Sequence, residues 1–176
     1  MSQTRPFNVL FLCTGNSARS ILAESILRQD GAGRFSAFSA GSQPKGEVNP
    51  MALEVLAELG YPTDGFRSKS WDEFAQPGAP TMDFVFTVCD QAAGEACPVW
   101  PGQPVTAHWG IEDPSYETRG DIWRRSAFTK AFHYMKNRIT AFAALPLESL
   151  ERTRLTARLR EIGEMEGASA AKPDVA

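Results

Sequence analysis

One short segment carries the residue types that bind and attack a tetrahedral oxyanion. Cys13 is followed by Gly15 and Asn16, and then by Arg19 and Ser20. Backbone N–H groups and the positive end of a following helix bind such an anion, and a planar guanidinium binds two of its oxygens. The same donors, with a Ser20 hydroxyl that donates to the sulfur, are expected to lower the pKa of Cys13. The segment therefore predicts a thiolate placed for in-line attack on the central atom.

The backbone of this loop is expected to form the anion site. Gly15 allows a tight turn, and Asn16 is expected to tie the loop to itself. The residues expected to bind the oxyanion are Thr14, Gly15, Asn16, Ser17, Ala18, Arg19 and Ser20.

A carboxyl group that could transfer a proton lies further along the chain. Asp113 precedes Pro114, and such a pair on its own is typical of a turn. An oxygen that leaves the central atom needs a proton, which a partly desolvated carboxyl group can supply. Asp113 is therefore a candidate general acid. We interpret His108 as a structural residue and assign no role to His133.

Two further cysteines, Cys89 and Cys97, follow a predicted strand. Their spacing is not that of a zinc site and no pair of histidines completes one, so we predict no metal centre. The small residues between them could bring their Cα atoms within the ~7 Å that a disulfide needs. Two interpretations stay open here: a redox pair, or two buried thiols that act as small hydrophobic groups.

Short apolar runs alternate with helical patterns along the chain. Strands are predicted at 7–12, 35–40, 83–88 and 104–109. Helices are predicted around 21–27, over 50–59, over 121–143 and across 147–162, with a short helix at 70–75 and a loop at 92–94. Strands that alternate with helices predict a parallel sheet with right-handed crossovers.

The expected fold class is α/β, a doubly wound, four-stranded parallel sheet flanked by helices, with a C-terminal helical appendage. In such folds the binding crevice lies at the carboxyl ends of the strands. Cys13 follows the first predicted strand and Cys89 follows the third. If these two strands are neighbours, both thiols open onto the same crevice.

Length and charge limit the classes of protein to consider. The 176 residues predict one domain over 1–145, then a helix and tail over 146–176 that frays from Glu166 onward. The net charge of −3 argues against a nucleic-acid-binding protein. No apolar run is long enough to span a membrane, and the first residues lack a signal-peptide pattern. We therefore expect a cytoplasmic protein that binds neither nucleic acid nor membrane.

Together these motifs resemble the low-molecular-weight tyrosine phosphatase superfamily, and within it the arsenate reductases. The resemblance covers about residues 7–143 and rests on 13–20, Phe38-Ser-Ala-Gly41, Val88-Cys89-Asp90, Cys97-Pro98 and 108–114. The phosphatases commonly carry a second cysteine in the loop, where this chain has Ala18. They also tend to place tyrosine directly after Asp-Pro, where it has Ser115. These differences, with the two additional cysteines, favour a reductase.

The resemblance implies a cascade of thiol reactions that detoxifies arsenic. Cys13 attacks arsenate while Asp113 protonates the departing oxygen, Cys89 attacks Cys13 and releases arsenite, and Cys97 attacks Cys89 and frees Cys13. Thioredoxin, or glutaredoxin with a small thiol, then reduces the Cys89–Cys97 disulfide. Phosphate or sulfate is expected to compete for the loop, and no cofactor is expected.

Some members of the superfamily bind potassium beside the loop through asparagine, glutamate, serine and aspartate side chains. Asn16, Glu24 and Ser39 match the first three, but no aspartate is in register near Lys69-Ser70. We expect the Lys69 ammonium group to replace the cation, so that no metal is required.

Two alternatives to a reductase remain at this point. A phosphatase of the same fold would form a phosphocysteine on Cys13 with Arg19 and Asp113, and would need neither Cys89 nor Cys97. A non-catalytic oxyanion-binding or redox-sensing protein would bind the anion without turnover. Asp113 argues against that second alternative, because binding alone needs no proton donor.

Overall fold

A parallel four-stranded sheet lies at the centre of the protein, in a computed structural model that describes residues 5–93 and 100–169. The strands are β1 (Phe7–Cys13), β2 (Phe35–Gly41), β3 (Phe84–Thr87) and β4 (Val105–His108). Their order in the sheet is β2-β1-β3-β4, and each neighbouring pair is parallel. The prediction of a doubly wound α/β fold with four parallel strands and flanking helices is confirmed.

Helices connect and cover these strands. They are α1 (Arg19–Asp30), α2 (Pro50–Glu58), α3 (Asp90–Ala93), α4 (Asp121–Ala143) and α5 (Arg152–Gly163). Single 3₁₀ turns span Trp71–Phe74 and Pro114–Tyr116. Local chemistry sets some of these ends: the Asn49 side chain accepts a hydrogen bond from the Met51 N–H, and Pro50 begins α2. Over residues 5–93 and 100–169, no helix is both long and apolar enough to cross a membrane.

Strand β1 is central and brings the two candidate thiol segments to one edge of the sheet. Its residues 9–12 are fully buried, as expected for a strand that helices cover on both faces. In the register, Cys13 lies opposite Gly41 of β2, and Leu12 lies opposite Thr87 of β3. The predicted neighbourhood of the first and third strands is confirmed, and Cys89 follows β3 at the same edge as Cys13.

A cluster of aromatic rings holds the C-terminal helix α5 against the end of β4. The Trp109 ring stacks on Phe86 with 3.8 Å between ring centroids, and Phe142 of α4 packs against both. The Trp109 indole Nε1–H donates to the carbonyl of Leu159 at 2.9 Å. Helix α5 is therefore held to the end of β4 by packing and by a buried hydrogen bond.

The structure corrects three predictions from the sequence. Residues 90–93 form the short helix α3 where we expected a loop at 92–94; Gly94 lies outside the described residues. The last helix begins at Arg152, so Leu147 and Leu150 precede it and pack as loop residues. The expected fraying from Glu166 is wrong for residues 166–169, because Ala168 forms an antiparallel bridge with Ile111. Residues 170–176 lie outside the described part.

Candidate active site

The loop between β1 and α1 encloses the sulfur of Cys13. The Sγ atom lies 2.9 Å from the Ser20 hydroxyl and accepts a hydrogen bond from the Asn16 backbone N–H at 3.2 Å. Cys13 itself is only 3% exposed. Helix α1 begins at Arg19, directly after the loop, so its positive end adjoins the loop. The contact between Cys13 and Ser20 is the one expected from the sequence.

Asn16 ties the loop together more extensively than the sequence indicated. Its backbone is in the left-handed region at φ 45°, which asparagine tolerates better than most residues. Its amide Nδ2 donates to Ser20 at 2.8 Å and to Ser39 at 3.0 Å, and its Oδ1 accepts from the Lys69 N–H at 3.0 Å. One fully buried side chain thus connects the loop, β2 and the segment before the first 3₁₀ turn.

Gly41 is a site residue whose role the sequence did not reveal. A Cβ atom at this position would lie 2.5 Å from the Thr14 carbonyl oxygen and 3.0 Å from the Asn16 backbone nitrogen. The end of β2 must therefore be glycine for the loop to pass this close. In the sequence, Gly41 follows a predicted strand, as in an ordinary turn, and ends the Phe38-Ser-Ala-Gly41 motif of the family resemblance, but neither feature indicated this close approach.

Arg19 joins the loop to the segment that carries Asp113. Its guanidinium group donates to the Ile111 carbonyl at 2.9 Å and to an Asp113 oxygen at 3.3 Å. Asp113 also accepts hydrogen bonds from the backbone and the hydroxyl of Ser115, at 2.9 and 2.7 Å. Both charged side chains are about 15% exposed, so the candidate proton donor and the candidate anion-binding guanidinium lie together in a largely desolvated place.

Cys89 lies beside the loop, as the strand order requires. Its Sγ is 3.4 Å from the Thr14 hydroxyl and accepts from the Ala92 backbone N–H at 3.3 Å. Cys89 is 1% exposed, and both it and Cys13 are free thiols. The structure thus brings together Cys13, Arg19, Asp113 and Cys89. Cys97, the remaining predicted site residue, lies outside the described residues.

The ionisation of Cys13 differs from the expectation. Burial raises the pKa of the Cys13 thiol because desolvation disfavours the charged form. The hydrogen bond with Ser20 and the charge of Arg19 act in the opposite direction, and the neighbouring Cys89 raises the pKa further. The expected net lowering is therefore wrong, because the loop desolvates the sulfur more strongly than its donors compensate.

Replacing Ser20 with alanine should move the pH dependence of Cys13 alkylation to higher pH. The thiolate is the reactive form, and the Ser20 hydrogen bond lowers the pKa of this thiol. The measurement is the rate of iodoacetamide labelling at Cys13 against pH, with the labelled peptide identified by mass spectrometry. Ser25→Ala is the matched control, since Ser25 is buried on the same helix but donates to Pro62. An unchanged or lower midpoint in Ser20→Ala would contradict the prediction.

Behind the loop, the buried carboxylate of Glu24 contacts Ser39 and Arg28. The Ser39 hydroxyl donates to the Glu24 carboxylate, and Arg28 donates to its other oxygen at 3.1 Å. Burial raises the pKa of Glu24, while the bond from Ser39 and the charge of Lys69 lower it. The Lys69 ammonium group donates to the Arg67 carbonyl at 3.0 Å, so its replacement of a cation beside Glu24 stays a prediction. The expectation that no metal is required stays a prediction.

His108 makes contacts that fit a structural residue. Its Nδ1 lies 2.8 Å from the Thr87 hydroxyl, and its Nε2 lies 2.7 Å from an Asp90 oxygen. No residue of the loop 13–20 is among these partners.

A crevice of about 760 Å³ adjoins the site at Asp113, between the second 3₁₀ turn and α4, and its lining includes none of the loop residues.

The chain matches a known family over most of its length. The family is described as low molecular weight phosphotyrosine protein phosphatase, and its sequence model matches residues 8–155. An arsenate reductase of Halalkalibacterium halodurans is 33% identical over 135 residues, which are 77% of this chain and 94% of that protein.

Solved structures show the same fold. One described as an arsenate reductase in oxidized state has a TM-score of 0.64 and 26% identity, over 78% of this chain and 96% of that one. A thioredoxin-dependent arsenate reductase of Corynebacterium glutamicum has a TM-score of 0.56 and 24% identity, over 79% of this chain and 61% of that one. At that identity the second likeness concerns the fold alone.

Proposed function

Since this chain belongs to the low molecular weight phosphotyrosine protein phosphatase family, we propose that it uses the family's oxyanion loop to reduce arsenate to arsenite. The observation that carries the proposal is the second buried thiol beside the loop, with Cys89 Sγ 3.4 Å from the Thr14 hydroxyl. A phosphatase needs one thiol, whereas reduction by two electrons needs a second one. The arsenate reductase from H. halodurans, 33% identical to this chain, supports the same activity.

In the first step, the deprotonated form of Cys13, which Ser20 and Arg19 favour against the effect of burial, attacks the arsenic atom of arsenate in the loop. The backbone N–H groups of residues 14–20 and the Arg19 fork bind the arsenate oxygens. A bond forms between Cys13 Sγ and arsenic, and one As–O bond breaks. Asp113 gives the departing oxygen its proton, so that it leaves as water rather than as hydroxide. Arsenic is still As(V) in this adduct.

In the second step, the Cys89 thiolate attacks the sulfur of Cys13. The S–S bond forms as the S–As bond breaks, and the electron pair of that bond stays on arsenic, which leaves as arsenite, As(III). Cys97 then attacks Cys89, which returns Cys13 as a thiolate and leaves a Cys89–Cys97 disulfide. The two electrons come from the protein, so the cycle needs an external dithiol to restore it.

Thioredoxin, or glutaredoxin with a small thiol, is the proposed reductant of that disulfide. Both belong to compartments that keep protein thiols reduced, and the proposed relay works only there, so we place the reaction in the cytoplasm. Phosphate and sulfate resemble arsenate in shape and charge and are the proposed competitors for the loop.

A count of free thiols tests the proposal directly. The fully reduced protein should fall from three free thiols to one after excess arsenate, without any external reductant, while phosphate leaves three. Peptide mapping should then locate the disulfide at Cys89 and Cys97. Survival of all three thiols would exclude an internal relay; turnover of an aryl phosphate would then indicate the phosphatase alternative, and arsenate binding alone would indicate a binding protein.

A further inference from the structure

The C-terminal segment 164–169 reaches back to the residue that follows Cys89. This segment lies beyond residue 155, where the family match ends. Buried Arg138 of α4 holds its start by donating to the carbonyls of Met165 at 3.0 Å and Glu166 at 3.2 Å. Its end is held by the bridge between Ala168 and Ile111.

Two side chains converge on one oxygen of Asp90, the first residue of α3. The Ser169 hydroxyl donates to Asp90 Oδ1 at 2.8 Å, and His108 Nε2 lies 2.7 Å from the same oxygen. The Ser169 backbone N–H donates to the Gly110 carbonyl at 3.0 Å, which fixes the position of this serine. Asp90 is thereby held from the end of β4 and from the C-terminal segment at once.

Because Gly110 has no side chain, it leaves room for the side chains of Ser169, Asp90 and His108 to meet. A Cβ atom there would lie 2.5 Å from Ser169 Oγ, 2.6 Å from Asp90 Oδ1 and 2.6 Å from His108 Nε2. The backbone of Gly110 is outside the left-handed region, so an alanine would be strained by these three atoms and not by its own conformation.

We propose that the contacts of Ser169 and His108 with Asp90 form a clamp, which keeps the Cys89 thiol buried. Cys89 Sγ accepts from the Ala92 N–H, so the burial of this thiol depends on the α3 turn that Asp90 begins. In the proposed reductase, which this role presupposes, Cys89 must be exposed to a further thiol after it has reacted with Cys13. Ser169 is then a positioning residue that limits how often the thiol opens, and it protects Cys89 from other reagents between turnovers.

The test compares alkylation at two buried cysteines of the full chain. Ser169→Ala should raise the rate of iodoacetamide labelling at Cys89 about tenfold, the scale expected for losing a hydrogen bond to a charged group, and should leave Cys13 unchanged. Cys13 is as buried as Cys89, so it reports any general loosening of the fold. Ser169→Thr retains the hydroxyl and should restore slow labelling, and Ser149→Ala, at an exposed serine, should have no effect.

A second variant keeps all three polar groups. Gly110→Ala pushes them apart and should also raise Cys89 labelling selectively. Unchanged labelling of Cys89 in both variants, or equal increases at Cys89 and Cys13, would overturn the clamp. Because no arsenate is used, failure of the clamp is distinct from failure of the reductase proposal, which the thiol count decides.

Discussion

The Cys89→Ser variant should produce arsenite from arsenate at a rate lower by about three orders of magnitude or more, the scale seen when one member of a catalytic unit is removed. The hydroxyl that replaces the thiol cannot form a disulfide with Cys13, so the electron pair of the S–As bond has no route to arsenic. The first step should survive, because Cys13, Arg19 and Asp113 make their contacts without Cys89. Arsenite release with thioredoxin as reductant is the quantity to measure, beside binding of arsenate.

Cys97→Ser is the informative partner of this variant. It should still release one arsenite per protein and then stop with a disulfide between Cys13 and Cys89, which peptide mapping identifies. Full turnover by Cys89→Ser would contradict the relay. Cleavage of an aryl phosphate by Cys89→Ser at the rate of the unaltered protein is expected under both the reductase and the phosphatase assignments, so it does not separate them.

Arg19→Lys should lower kcat/KM for arsenate by about 10²–10³, the range for removing one preorganised donor to a developing oxyanion. Lysine keeps the positive charge but has no planar fork, so it cannot bind two anion oxygens side by side. It also cannot donate to Ile111 and Asp113 together, as the guanidinium does at 2.9 and 3.3 Å. The loop and the segment that carries Asp113, the proposed proton donor, would therefore lose their connection.

Arg28→Lys provides the control for this substitution. Arg28 lies on the same helix and pairs with Glu24 at 3.1 Å, but it makes no contact with the loop 13–20 in the described structure. Its replacement should change kcat/KM less than about threefold, the range of a partly exposed ion pair. Equal losses in the two variants would mean that Arg19 acts through the stability of α1 and not through the anion.

The elements were predictable from the sequence because each has a strong local signal. The apolar run at 7–12 and the Pro50 start of α2 correspond to elements whose ends the structure places within one or two residues. The long helix at 121–143 matches α4 at both ends. The short helix α3 was missed because a pattern of four residues is too short to show helical periodicity. Leu147 and Leu150 precede α5, which shows that apolar spacing alone does not distinguish a packed loop from a helix.

Chemistry that depends on adjacent residues was also readable from the sequence. Residue type and spacing were enough to identify two candidate site segments. These are the loop after β1, with Cys13 and Arg19, and the Asp113-Pro114 pair. The sequence therefore determined a parallel α/β sheet, and it predicted on that sheet an oxyanion loop with a candidate nucleophile and a candidate proton donor.

Only the tertiary structure decided how these groups affect one another. The raised pKa of Cys13 depends on how completely the fold removes water from the sulfur. The spacing of residues along the sequence does not indicate this. The need for glycine at position 41, and the three groups that meet over Gly110, arise where segments far apart in the chain come within van der Waals distance. Local sequence determines which groups a segment presents, whereas desolvation and close approach are properties of the packed chain.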